Sequence, residues 1–314
     1  MRKFIIKSVL FLTICLLLCL ILGYAIDNGL KKCNLIPYKV WNDIINSNIN
    51  ADLIVQGSSR AYVHFSPKII DSAFNINSYN LGLDGKTFRI QYYRLLLYLK
   101  YNKKPKYIIQ NVDNGTLSKD ETEFDPQFLP YLGIKEIDDA IQCYSGITWM
   151  DRYIPLYKYH SNYELIIKGF MGNLKISYTQ KNIEYKGFMT HNKVWDSSFS
   201  SFLKSNSKGW HQKIDNDTKM LFESYLKLCR IENIQIIFIY TPEYYEAQRL
   251  SLSRDSVTDI FRDYGIKYKI PFFDYSNDSI CMDRSNFYNS QHLNTFGVIK
   301  FSSLYIHDLK TIIK

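Results

Sequence analysis

A charge-free run near the N-terminus constrains this chain more than any other feature. Val9–Leu22 holds eleven Val, Leu, Ile or Phe residues and no charged one, and Arg2, Lys3 and Lys7 precede it. At about −0.3 to −0.6 kcal/mol per residue, such a run favours bilayer insertion by roughly 3–7 kcal/mol. Extending it back through Phe4, Ile5 and Ile6 reaches the roughly 20 residues needed to span. Lys7 sits close enough to the end for its amine to snorkel to the interface. The leading basic residues hold the N-terminus on the cytoplasmic side, a bias that Lys31 and Lys32 partly offset. The expectation is a membrane anchor over residues 1–27 and an exported domain over 28–314. A signal peptide cut near Gly23-Tyr24-Ala25 is the alternative.

The remainder of the 314 residues is enough for one large or two small domains. Hydrophobic residues at 46% and charged residues at 22% exclude a disordered chain. The net charge of +9 raises nucleic acid as a partner, but no helix-turn-helix, zinc or RNP signature accompanies it. Nucleic acid is therefore not expected; anionic lipid head groups or acidic envelope polymers fit the scattered lysines better. The 26 tyrosines suit half-wet clefts, or reflect compositional drift alone. Six cysteines form no C-x-x-C pair, and the histidines show no metal-ligand spacing, so no metal or other cofactor is expected. Cys33, Cys143, Cys229 and Cys281 leave a disulfide open without indicating a pair.

Hydrophobic patterning predicts strands over 52–57, 75–81, 106–112, 234–240 and 270–275. Helices are predicted over 87–101, 221–229 and 295–312, the last from Val298, Phe301, Leu304, Leu309 and Ile312. Strands alternating with helices imply an α/β domain, a mainly parallel sheet covered on both faces in three layers. In such sheets reactive groups gather on loops at the C-terminal strand ends. Residues 117–213, rich in Tyr, Asn, Gly and Trp, break the alternation and read as an inserted cap.

Two loops carry candidate chemistry. Gly57-Ser58-Ser59-Arg60 follows the first strand directly. A serine at that turn is exposed at the sheet edge and its backbone N–H can face an oxyanion; the same residues also suit a helix N-cap. Asn289-Ser290-Gln291-His292 precedes the final helix, where a histidine would stand as base to the serine or simply cap the helix. Arg60 could hold an anionic group or pair with a carboxylate, and His64, one turn on, reads as structural.

Together these loops resemble the blocks of the SGNH, or GDSL-type, hydrolases, over nearly all of the exported part. Gly57-Ser58-Ser59-Arg60 is similar to the block that carries the nucleophile, and Asn80-Leu81-Gly82 to the block whose glycine donates to the oxyanion. Asn289-Ser290-Gln291-His292 resembles the Asp-x-x-His block. The variants look most like a membrane-anchored branch, with the D-alanyl transfer protein of teichoic acid synthesis and relatives that acylate exported polysaccharides. The resemblance implies Ser59 as nucleophile, His292 as base, and Ser59, Gly82 and Asn114 as oxyanion donors, with Asn111 the alternative to Asn114. It implies an acylated envelope polysaccharide or acyl donor as substrate, and a membrane-bound acyltransferase as a potential partner. Two departures stand out. Asn289 replaces the family's Asp, which Asp274, Asp278 or Asp283 would substitute if the fold brings one near. The Gly-x-Asn-Asp block is missing in strict form, the chain reading Asn111-Val112-Asp113-Asn114 there. A carboxylate on the far nitrogen of His292 would favour an enzyme; Asn289 alone would favour a weak or inactive binding module.

Overall fold

The computed structural model describes residues 1–119, 123–174, 184–196 and 198–313. They form two compact units, residues 1–46 with 121–180 and residues 47–120 with 181–314.

Among the described residues the larger unit has nine short strands: β1 Leu53–Gln56, β2 Ser78–Asn80, β3 Tyr107–Asn111, β4 Glu184–Tyr185, β5 Phe188–Met189, β6 Gln235–Tyr240, β7 Phe272–Asp274, β8 Phe287–Asn289 and β9 His292–Leu293. Five of them make one sheet in the order β2-β1-β3-β6-β7, and every pairing in it is parallel. The α/β fold expected from the sequence is the fold observed. Its strands fall inside the predicted runs, because an apolar run of four or five β-favouring residues is what a strand buried on both faces needs.

Side-chain alternation divides the core into two layers. Leu53, Val55, Ile109, Ile237 and Ile239 pack on one face with Phe65, Ile70, Val298, Phe301 and Tyr305. Those partners come from helices Ser59–His64, Pro67–Phe74 and Thr295–Leu309 and the bend at Phe65. The other face meets an aromatic layer in which Phe222 touches Phe88, Tyr225, Phe238, Phe261 and Tyr264. Its helices are Phe88–Tyr101, Asn216–Ile231 and Arg254–Tyr268. The last of these escaped the sequence reading, although Val257, Phe261 and Tyr264 recur at helical spacing and are buried. The turn between β4 and β5 covers the exposed edge of β2: Asn80 N–H donates to the Lys186 carbonyl at 2.9 Å, and Lys186 pairs with Asp71 at 2.6 Å.

The smaller unit centres on the helix Arg2–Leu30. Its 29 residues reach about 43 Å at 1.5 Å each, and its apolar part is long enough to cross a bilayer. Beyond Leu22 the helix continues unbroken and buries Ile26, Gly29 and Leu30. There it packs on the helix Tyr163–Asn173, backbone against backbone, since a Cβ on Gly29 would lie 1.6 Å from the Gly169 carbonyl oxygen. Asn173 Nδ2 donates to the Ala25 carbonyl at 2.7 Å. All six cysteines are free.

Candidate active site

The sheet carries its polar groups where a parallel sheet should, at the C-terminal strand ends. Past β1, Gly57 turns the chain with φ +148°. A side chain there would strike Ala61 and Asn111, with its Cβ 2.7 and 2.8 Å from theirs. Only glycine allows that turn, which delivers Ser59 to the first position of the helix Ser59–His64. No carbonyl of its own helix can reach the Ser59 N–H, which is one of the orphan donors of a first turn.

His292 Nε2 lies 2.7 Å from Ser59 Oγ. The two residues are 233 positions apart in sequence; the antiparallel pair β8–β9 sets His292 opposite Asn289, and the Leu293 N–H ties β9 to His64 on the helix that begins at Ser59. The other ring nitrogen, Nδ1, is 2.9 Å from Asn289 Oδ1. That oxygen also accepts the backbone N–H groups of Gln291 at 3.0 Å and His292 at 2.9 Å. Three donors converge on it, so the amide cannot turn its NH2 toward the ring without losing two backbone bonds. His292 is thereby held as the Nδ1–H tautomer with Nε2 open to take a proton from serine. The ring stacks on Tyr288, 5.4 Å away and 8° from parallel.

Among the described residues, no carboxylate takes the place of Asn289. Asp274 pairs with Arg262 and accepts from Ser276 N–H; Asp278 and Asp283 cap the short turns that follow them. Asp274 is taken up by the helix Arg254–Tyr268 and the other two by their own turns, so none of the three stands in for the family's Asp. With no anion on Nδ1, burial pushes the pKa of His292 from 6.5 down to about 3, helped by the charges of Arg60 and His191 and opposed by Asp113. The ring is neutral at pH 7, its imidazolium disfavoured by roughly 5 kcal/mol.

The remaining predicted residues have particular partners. Arg60 is buried and pairs at 2.7 Å with Glu243, itself buried and bonded at 2.6 Å by the Tyr240 hydroxyl. Its Nη1 has no hydrogen-bond partner. The Gly82 N–H donates to Asn80 Oδ1 at 2.8 Å, so it is engaged within its own turn. Gly82 is needed there for space: a Cβ would sit 2.4 Å from Tyr62 N. Asn111 Nδ2 donates to the Ile239 carbonyl at 3.0 Å, which makes it a strut between β3 and β6. Asn114 directs Nδ2 at the Ser251 hydroxyl and leaves Oδ1 buried and unpartnered. Turning that amide over would let Oδ1 accept from the Ser251 hydroxyl and release the NH2. His64 is wholly buried and accepts the Leu293 N–H at 3.0 Å on Nε2, so it fixes the strand that carries His292.

Sequence reading passed over three participants. Asp113 Oδ2 accepts from the Ser58 hydroxyl at 2.6 Å, a carboxylate one residue from the serine. Glu243 and Tyr240 at the end of β6 buttress Arg60. The strand-end rule applied to β3 and β6 would have found all three. Ser59, Asp113, Asn114, Trp210 and Gln291 line one cavity of about 260 Å³.

No family model matches the chain, and no curated protein matches it. Among solved structures, a proposed acylhydrolase from Bacteroides fragilis aligns with a TM-score of 0.41 at 10% identity, over 83% of this chain and 88% of that one. A proposed lipolytic protein of the G-D-S-L family from Desulfitobacterium hafniense aligns with a TM-score of 0.40 at 12% identity, over 82% and 98%. Likeness at that level bears on no residue and no activity of this chain.

Proposed function

We propose that the chain is an SGNH-type serine esterase or O-acyltransferase, held by its N-terminal helix on the outer face of a bacterial cytoplasmic membrane and acting on acylated envelope polysaccharide. The observation that carries this reading is the relay Ser59 Oγ–His292 Nε2–His292 Nδ1–Asn289 Oδ1, with contacts of 2.7 and 2.9 Å. A serine becomes a nucleophile when a base within hydrogen-bond reach is itself oriented by a third group. In serine proteases, exchanging the triad Asp for Asn lowers kcat about 10⁴-fold through the wrong histidine tautomer. The backbone donors on Asn289 Oδ1 remove that part of the penalty and leave only the missing charge.

Ser59 Oγ attacks the ester carbonyl while His292 Nε2 takes its proton. The oxyanion so formed is met by the Ser59 N–H and, with its amide turned, by Asn114; Gly82 joins only by releasing Asn80. Collapse expels the alcohol, which leaves with the proton from His292, and the acyl group remains on Ser59. His292 then deprotonates water for hydrolysis or a sugar hydroxyl for transfer. A small cavity edged by amide and charged side chains and one indole suits a hydroxyl-rich alcohol, for which Trp210 offers a ring face. The unbroken helix through Ala25 supports retention of the anchor over cleavage. A membrane-bound acyltransferase partner and the polymer itself belong to the same proposal.

The second reading, a weak or inactive binding module in envelope polymer assembly, rests on Asn289, rather than a carboxylate, as the group on His292 Nδ1 among the described residues. The two separate cleanly when the full chain in detergent is treated with a fluorophosphonate probe and p-nitrophenyl acetate beside Ser59→Ala and His292→Ala. Labelling and turnover in the native chain that vanish in both variants are expected. A folded native chain that neither labels nor turns over hands the case to the binding module.

A further inference from the structure

The smaller unit exposes large apolar side chains in a place its geometry explains. Tyr24 is 72% exposed, Trp149 65%, Tyr153 77% and Ile154 39%. Trp149 and Tyr153 lie four apart on the helix Trp149–Tyr153 and therefore share a face. The segment that follows runs along the N-terminal helix in a defined register. Lys158 pairs with Asp27 at 2.8 Å, and Leu156 Cδ2 lies 3.8 Å from the Cβ position of Gly23. Tyr153 and Ile154 share one groove of about 470 Å³ with Cys19, Leu20 and Tyr24. From Asp27 back to Leu20 the helix descends about 10 Å at 1.5 Å per residue. Tyr153 and Ile154 thus stand beside residues of the charge-free run, just within its end at Leu22.

We propose that this face of the smaller unit rests in the lipid leaflet at the C-terminal end of the N-terminal helix, with Trp149, Tyr153, Ile154 and Tyr24 as its interfacial contacts. The inference depends on that helix crossing the membrane; given that, the occupant of the face follows, because whatever surrounds Leu20 also surrounds Tyr153. Trp and Tyr are the side chains favoured at the head-group boundary, where an apolar ring body and a polar tip are both accommodated. The nearby charges suit the same depth, since each has a polar partner: Arg152 pairs with Asp138 at 2.7 Å and Lys158 with Asp27, and Asp151 accepts the Thr148 N–H and hydroxyl in a capping box. An ion pair brought to the boundary costs less to desolvate than a lone charge. The catalytic unit is then tethered by a broad platform rather than by a single helix.

The test uses the full chain in phosphatidylglycerol–phosphatidylcholine liposomes and subtracts the emission of Trp149→Phe from that of the native chain. Alkaline carbonate washing is run in parallel to report on the helix itself. The expected result is a chain that resists washing and a Trp149 component that loses most of its emission to lipids brominated high in the acyl chain but little to aqueous iodide. Tyr153→Trp in the Trp149→Phe background should respond in the same way. A carbonate-resistant chain whose Trp149 component is quenched by iodide, or by neither agent because protein covers it, overturns the lipid contact while sparing the anchor. A chain that washes off overturns both.

Discussion

Replacing Asn289 by Asp tests the relay most sharply, because the structure sets both the sign and the size of the effect. Asn289 Oδ1 already receives Gln291 N–H, His292 N–H and His292 Nδ1, and a carboxylate oxygen accepts all three in the same place. The substitution therefore adds a charge without moving a bond. Two charges about 4 Å apart interact by about 4 kcal/mol at an effective dielectric of 20, which is about three pKa units. The pKa of His292 should rise from about 3 to about 6. With half of that gain expressed in proton transfer, kcat/KM for p-nitrophenyl acetate should rise roughly 30-fold at pH 7. The pH profile supplies a second readout. The native base stays neutral down to about pH 3, so its kcat/KM should be flat between pH 5 and 8 on the scale of this shift. Asn289→Asp should instead lose activity below a limb near pH 6. A folded variant with unchanged or lower turnover and no new limb would refute the assignment of His292 as the base and Asn289 as its orienting partner.

Three further outcomes follow from the same network. Glu243→Gln strips the charge from the buried partner of Arg60 and should destabilise the chain by about 3–5 kcal/mol in urea unfolding, with fluorophosphonate labelling reduced. Gly57→Ala meets both a positive φ and contacts under 3 Å, so it should lower the midpoint of unfolding by more than an ordinary surface exchange and abolish labelling of Ser59. Acidification should weaken the fold: His64 and His292 both have pKa values lowered by burial, so the unfolded chain binds protons that the folded one refuses. Stability should therefore decline as pH falls below about 6.5, and for His292 the loss continues down to about pH 3 at up to about 1.4 kcal/mol per pH unit, as urea titrations at stepped pH would show.

Much of this was legible in the sequence. The strands at 53–56, 107–111 and 235–240 were readable because a short apolar run buried on both faces leaves no other solution, and the helix at 88–101 because basic residues and a proline close it. The N-terminal helix was readable because length and apolarity alone decide whether a segment can span. Ser59 and His292 were readable as candidates because each follows or precedes an element whose end was already marked.

What the tertiary structure decided was everything that depends on a distance between remote residues. The sequence left open whether Asp274, Asp278 or Asp283 would serve His292; folding paired Asp274 with Arg262, spent the other two on their own turns and left Asn289 in place. Arg60 looked free to meet a ligand or a surface carboxylate, yet it is buried against Glu243, 183 positions away. Asn111 and Asn114, nearly equivalent candidates in the sequence, separate because Asn111 ends β3 with its amide tied to the Ile239 carbonyl, while Asn114 lies in the turn beyond the strand and lines the cavity shared with Ser59. Periodicity encodes which face of an element is buried. It does not encode which loop stands opposite, and hydrogen bonds that act over about 3 Å are settled only when packing has brought those loops together.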